Sequence, residues 1–176
     1  MQRRVAPFVL TQLASFMSVT AGSMVFIAIP WIALEISGSA AQAGLVVALT
    51  AIPGLVVIPV IGSIIDKYGR RRVAVWAEIV TGALTLLLPL VASLWELTIA
   101  WLVVLATLKN VLAAAGPTAR KSLVPDIAVP ARMTLDRANS IHEGVFATGF
   151  AFGPALATFC IATIGSAETF IVVAAF

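Results

Sequence analysis

A single lysine interrupts a long uncharged stretch of the sequence. Lys109 is the only charged residue between Glu96 and Arg120. A charge inside a lipid layer is costly enough to indicate a function, and a buried ammonium group can bind or relay charge. The alternative is a lysine whose ammonium group reaches back to the membrane surface, near Arg120. Lys109 is therefore the first candidate for a functional residue.

Two further polar residues could act together with Lys109. Glu78 follows Arg71 by seven residues, so on a helix the two lie on nearly one face, about 10 Å apart along the axis. The Glu78 carboxylate could pair with the neighbouring arginines or with Lys109, or it could reach water at the membrane interface. Gln12 is the most chemically capable side chain of a first hydrophobic stretch that also carries several hydroxyl groups. We predict that Gln12 belongs to a polar pathway, with hydrogen bonding between helices as the alternative.

A cluster of charges between two glycines forms another candidate site. Its residues are Gly62, Asp66, Lys67, Gly69, Arg70 and Arg71. Gly69 would allow a turn with positive φ, and Gly62 would let another helix approach closely. Asp66 could pair with Arg70 or cap a helix. The pattern predicts a tight turn at about 66–72 whose charges can form ion pairs.

Three residues near the carboxyl-terminal end predict close helix packing and a bend. Gly149 and Gly153 are four residues apart, so they lie on one helix face and allow two backbones to approach closely. Pro154 follows directly and removes the hydrogen bond to the carbonyl near Phe150. A merely structural packing face is the alternative interpretation.

The elements that position these residues follow from the composition. Of the 176 residues, 61% are hydrophobic and only 11% are charged, which excludes a water-soluble surface. The cations form no basic face with interleaved aromatic residues, which argues against nucleic-acid binding. One cysteine and one histidine, Cys160 and His142, exclude an internal disulfide framework and a Cys/His zinc cage. We expect His142 to be a residue of the membrane interface rather than a proton relay.

We take charged residues to mark the ends of membrane-spanning helices. The predicted spans are 8–34, 40–65, 73–93, 97–119 and 140–165, with a sixth that begins near Thr169. Residues 120–139 are predicted as a loop with a short surface helix, and Asn139 and Ser140 as the amino-terminal caps of the fifth span. The fold class predicted is an all-α membrane helix bundle with five full spans and the start of a sixth. Because the last residues are apolar without a polar flank, we expect residues 1–176 to be the amino-terminal part of a longer chain.

The lysines and arginines predict the orientation of this bundle. Ten of the eleven cations lie at Arg3 and Arg4, in the turn at 66–72 and in the connection at 120–139. The opposite connections contain Glu35, Glu96 and Glu168 and no cation. Since cytoplasmic loops are enriched in lysine and arginine, we place the amino terminus and both cationic connections in the cytoplasm.

The turn after the second span resembles the signature loop of the major facilitator superfamily, usually written G-x-L-A-D-R-x-G-R-R. The resemblance implies that Asp66 and Arg70 help to latch two transporter halves together on the cytoplasmic side. Lys109 is similar in position to an arginine that is linked to proton coupling in many exporters of this family. The sequence Gly149-x-x-x-Gly153-Pro154 resembles the core of the antiporter motif of drug-exporting members. The chain is thus similar to the amino-terminal six-helix half of bacterial drug, macrolide or siderophore exporters.

This resemblance implies a secondary active transporter that exports small amphipathic molecules by proton antiport. Its partners would be the lipid bilayer, a small-molecule substrate, protons and a carboxyl-terminal half, in a bacterial inner membrane. Neither an enzyme nor a cofactor is expected, because the sequence contains no phosphate-binding glycine loop, no nucleophile paired with a base and no cluster of metal ligands. The alternatives are a non-transporting membrane half or receptor-like protein that binds partners, and nutrient uptake by the same fold.

Overall fold

The computed structural model describes residues 5–176, so that Arg3 and Arg4 lie outside the described residues. Every regular element in the described range is an α-helix. The helices are α1 (Ala6–Ser37), α2 (Ala40–Tyr68), α3 (Arg70–Leu94), α4 (Ile99–Ala113), α5 (Ala115–Ala128), α6 (Leu135–Ile164) and α7 (Thr169–Ala175).

Five segments of the described chain are long and apolar enough to cross a membrane. Four of them are α1, α2, α3 and α6, and the fifth is formed by α4 and α5 together, from Ile99 to Ala128. Helix α7 is a short, further apolar helix, and it begins at the residue that the sequence predicted. The predicted fold class, an all-α membrane bundle with five spans and the start of a sixth, is confirmed.

The largest difference from the predicted boundaries concerns the fourth span and the connection after it. The helix that was predicted to end at 119 continues to Ala128, with a break at Ala114. Pro117 explains the break, because it has no N–H group to donate to the carbonyl of Ala113. Helix α6 begins at Leu135 rather than near 140, since the Thr134 hydroxyl caps it by accepting from the Arg137 N–H at 3.4 Å. The predicted loop at 120–139 is thereby reduced to residues 129–134.

The turn between α2 and α3 has the geometry that its glycine predicted. Gly69 alone separates the two helices and has a φ of 85°. This left-handed backbone conformation is strained for residues with a side chain, so a glycine is favoured here. The turn brings the charges at 66–72 together at one end of the bundle.

Helix α1 is the central helix of the bundle. It packs along α6 and also contacts α2, α4, α5 and α7. Its buried residues Met24 and Ala28 join a common core with Leu102 of α4 and Phe170 of α7. Large apolar side chains point outward from the bundle, among them Phe26, Leu55, Val56 and Phe159. Such an apolar exterior is what a surface covered by lipid requires.

Candidate functional site

A partly buried ion pair joins three helices of the bundle, with its arginine buried and its carboxylate partly exposed. The Arg120 guanidinium of α5 donates through Nη1 to Oε1 of Glu78 on α3. Its Nη2 donates to the Ser18 hydroxyl of α1 at 2.7 Å, and the same hydroxyl donates to Glu78 Oε1 at 3.0 Å. The carboxylate is therefore held by one charged donor and one neutral donor from two different helices.

This pair corrects two predictions. Glu78 pairs neither with the arginines at 70–72 nor with Lys109, and Arg120 does not lie in a loop. The predicted span ended at residue 119 because a charge was taken to mark the membrane surface. The physical reason for the difference is that an arginine can be buried when a carboxylate neutralises it and further acceptors satisfy its N–H groups.

Gly116 makes the Glu78–Arg120 pair possible. A Cβ atom at this position would collide with the Glu78 carboxylate, and it would lie 3.5 Å from Arg120 Nη1. The spacing of Lys109, Gly116 and Arg120 by seven and then four residues would place all three on one face of a continuous helix. This spacing is the sequence signal that could have identified Arg120 as an interior residue.

Lys109 lines a cavity of about 350 Å³ together with Glu78 and Ser18. We call this space, between α1, α3, α4 and α7, the Lys109 cavity. The lysine is 5% exposed, whereas a lysine that reaches the membrane surface would have an exposed ammonium group. Within residues 5–176, no carboxylate oxygen lies within 4.0 Å of its Nζ atom. The structure thus brings Lys109 and Glu78 to one cavity and leaves the lysine without a direct ion pair there.

Gln12 is not part of the Lys109 cavity. Its Oε1 atom lies 3.0 Å from Nδ1 of His142 in the buried contact between α1 and α6. His142, which was predicted at the membrane interface, is buried in this contact. Of the two residues predicted to act together with Lys109, Glu78 therefore shares its cavity and Gln12 does not.

The charged turn forms an ion pair across helices rather than within itself. Arg70 Nη1 lies 3.0 Å from Asp126 Oδ2, so the first residue of α3 is tied to the end of α5. In the described part of the chain, Asp66 has no cation within 4.0 Å, so the pairing with Arg70, one of the two alternatives given for Asp66, is absent. Asp66, Arg70 and Arg71 instead border one shallow surface depression with Asp126. A Cβ atom on Gly62 would meet nothing within 4 Å, so the close helix approach expected there is absent from the described chain.

The glycines of α6 allow its close contact with α1. A Cβ atom on Gly149 would lie 3.1 Å from the carbonyl oxygen of Phe16, and one on Gly153 would lie 2.6 Å from that of Thr20. The Ser23 hydroxyl donates across this contact to the Gly149 carbonyl at 3.2 Å. Pro154 lies inside α6, which continues to Ile164. The close packing expected of this motif is present, and its role in antiport stays a prediction.

Comparison with known proteins supports the family that the sequence motifs resemble. The family model of the Major Facilitator Superfamily matches residues 12–176. Multidrug efflux pump Tap of Mycobacterium tuberculosis is 36% identical over 168 residues, which are 93% of this chain and 40% of that protein. Multidrug efflux pump Tap of Mycolicibacterium fortuitum is 35% identical over 160 residues, 88% of this chain and 39% of that protein. No solved structure matches the chain significantly.

The chain thus spans about 40% of the length of the curated relatives it matches. The family match covers nearly all of the chain, and the bundle has the five apolar spans expected of an amino-terminal half. The chain belongs to the major facilitator superfamily, as a multi-pass membrane protein.

Proposed function

We propose that the transporter containing this chain exports small amphipathic molecules by proton antiport, with alternating access. The observation that carries the proposal is the Lys109 cavity, where a cation that has no ion pair within residues 5–176 and an ion-paired carboxylate share one space inside the bundle. Ionisable groups in such a position are costly, and they typically mark proton or substrate pathways. The similarity to multidrug efflux pumps supports export as the direction.

The charges of the site suggest how a proton and a substrate exclude each other. With Glu78 ionised, Lys109, Arg120 and Glu78 together carry one net positive charge. A proton on Glu78 raises this to two positive charges and weakens the contact with Arg120. Two like charges about 4 Å apart repel by about 4 kcal/mol at an effective dielectric constant of about 20, and the repulsion falls inversely with distance. A cationic amphipathic substrate would therefore bind better to the deprotonated state, which is the exclusion that antiport requires.

The Arg70–Asp126 pair supports the proposed gating role of the turn at 66–72. Both side chains are largely exposed, 45% for Arg70 and 56% for Asp126. Exposed ion pairs contribute about 0–1 kcal/mol each, so such a contact can break and re-form during each cycle. The cationic connections lie at this end of the bundle. Because cytoplasmic loops are enriched in lysine and arginine, we place this end in the cytoplasm.

Dye transport in vesicles tests the proposed function. The complete transporter is reconstituted into proteoliposomes, and the movement of ethidium is followed under an imposed proton gradient. We expect the wild-type protein to move the dye against its gradient, Lys109→Ala to lose this activity and Lys109→Arg to keep part of it. Lys109→Arg is the matched control because it retains the positive charge in a side chain of similar length.

Two results would contradict the proposal. Dye movement by the wild-type protein that ignores the proton gradient would exclude proton antiport. Wild-type rates for Lys109→Ala at matched protein level would exclude a coupling role for the lysine.

A further inference from the structure

A second polar cavity lies beside Arg120, between α1, α5 and α6. It has a volume of about 350 Å³, and its charged and titratable lining residues are Arg120, Lys121, His142 and Glu143. We call it the His142 cavity. Arg120 lines this cavity while its guanidinium binds Glu78, which lines the Lys109 cavity. The arginine therefore stands between the two spaces.

Several buried polar atoms around the His142 cavity have no hydrogen-bond partner among residues 5–176. Ser15 Oγ and Arg120 Nε belong to lining residues, and Gln12 Nε2 lies beside His142. Within the described chain, none of the three makes a hydrogen bond. An unsatisfied buried polar atom is costly, and water satisfies such atoms where a polar space has sufficient room. A cavity of this size accommodates several water molecules.

His142 has one nitrogen that can accept a proton. Since the amide oxygen of Gln12 only accepts, the Nδ1 atom 3.0 Å from it carries the hydrogen, and Nε2 is left to take up a second proton. Arg120 and Lys121 on α5 oppose a positive charge on the imidazole, whereas Glu143 on α6 favours it. From α1 the imidazole faces the neutral side chains of Gln12 and Ser15. At the outer end of the cavity Lys121 Nζ and Glu143 Oε1 form an exposed ion pair at 2.8 Å.

We infer that the His142 cavity holds water and carries protons between Glu78 and the cation-rich end of the bundle, with His142 as the relay. The inference rests on the proton antiport proposed above. In the release direction, protonation of Glu78 frees Arg120 to move aside, and the Glu78 carboxyl group gives its proton to a water molecule that then joins the two cavities. Nε2 of His142 takes up this proton to form an imidazolium. The imidazolium then returns the proton to water beyond the Lys121–Glu143 pair. Arg120 stays protonated throughout, and its ion pair with the restored carboxylate closes the connection.

Cysteine accessibility tests the water-filled cavity without any need for transport. Ser15→Cys and Ser23→Cys are introduced separately into the complete transporter with Cys160→Ser, and each is treated with a small charged methanethiosulfonate. The two serines are matched, because both lie on α1 and both are 2% exposed. Ser15 lines the His142 cavity, whereas the Ser23 hydroxyl is packed against the Gly149 carbonyl. We expect labelling at residue 15 that is at least tenfold faster than at residue 23, and equal protection of both would overturn the inference.

Substitution of the histidine tests the relay. His142→Asn keeps a donor near the position of Nδ1 for Gln12 and lacks the titratable nitrogen. We expect proton-driven ethidium efflux to slow by roughly tenfold, since a positioned acid–base group commonly contributes more than this and cavity water replaces part of it. Ethidium counterflow, which needs no net proton movement, should remain at the wild-type rate.

The outcomes separate this inference from the proposed function. Intact proton-driven efflux by His142→Asn would overturn the relay while leaving antiport in place. Equal slowing of efflux and counterflow would show a structural role for His142 and would also overturn the relay. Wild-type efflux that is independent of the proton gradient would overturn the proposed function and the relay together.

Discussion

The Glu78–Arg120 pair should stabilise the protein more than the Arg70–Asp126 pair does. The Arg120 side chain is 5% exposed and that of Glu78 is 42% exposed, whereas both partners of the second pair are largely exposed. Removing one partner of a buried ion pair costs about 3–5 kcal/mol, because the remaining charge is left uncompensated. Glu78 partly faces a cavity that also contains Lys109, so the remaining carboxylate is solvated and attracted there. We therefore expect Arg120→Leu to lower the free energy of unfolding by about 2–3 kcal/mol.

A double-mutant cycle isolates this contribution. Glu78→Gln in the Arg120→Leu background removes the uncompensated charge, so the double variant should recover most of the lost stability. We expect a coupling energy of about 2 kcal/mol for this pair and about 0.5 kcal/mol or less for the control cycle of Arg70→Leu with Asp126→Asn. Unfolding of the transporter by sodium dodecyl sulfate in mixed micelles, followed by circular dichroism, gives the four free energies of each cycle.

Equal coupling energies in the two cycles would refute this reasoning. So would an Arg120→Leu variant that is as stable as the wild-type protein, because the guanidinium would then contribute nothing through its contacts with Glu78 and Ser18.

Three further predictions concern packing, topology and the charged turn. Gly153→Ala should lower the free energy of unfolding by about 1–3 kcal/mol through overpacking against Thr20. Gly144→Ala on the same helix should not lower it, because a Cβ atom there meets nothing within 4 Å. Equal effects of the two variants in the same unfolding assay would contradict the proposed packing. A cysteine at Ser39 or Ser93 should react with an impermeant reagent added outside cells and one at Ser122 should not, and the reverse pattern would contradict the orientation. Asp66→Asn and Asp126→Asn should each slow dye transport at unchanged protein level in the membrane, since each removes a charge beside Arg70; normal rates for both would show that the turn has no gating role.

The local pattern of the sequence predicted the elements of the bundle well. Long uncharged stretches fold as helices in a membrane because only a continuous helix satisfies their backbone groups there. The Gly69 turn was predicted for a similar reason, since its positive φ is a local property of one residue. The packing of Gly149 and Gly153 followed from their spacing of four residues, which places both on one helix face.

The charged residues show where local reasoning was insufficient. Arg120 and Lys109 are both cations near the end of one apolar stretch, and the residue pattern predicted Arg120 in a loop and Lys109 in the membrane. The structure buries both. The partner that allows the burial of Arg120 is Glu78, 42 residues earlier on α3. No pattern of neighbouring residues predicts that contact, although the helical spacing of Lys109, Gly116 and Arg120 indicates that Arg120 faces the interior.

The class of the protein, the number of its spans, the residues of its turn and its glycine contact could all be predicted from the residue pattern. Each of these depends on properties within one helix or one turn, namely hydrophobic length, residue spacing and backbone freedom. Helix packing, by contrast, settles which charges of residues 5–176 are paired, which lie in a cavity without an ion pair, and that Gln12 contacts His142 instead of approaching Lys109. The cost of a buried charge depends on the groups that other helices bring within a few ångströms of it, and only the packing of the bundle sets those distances.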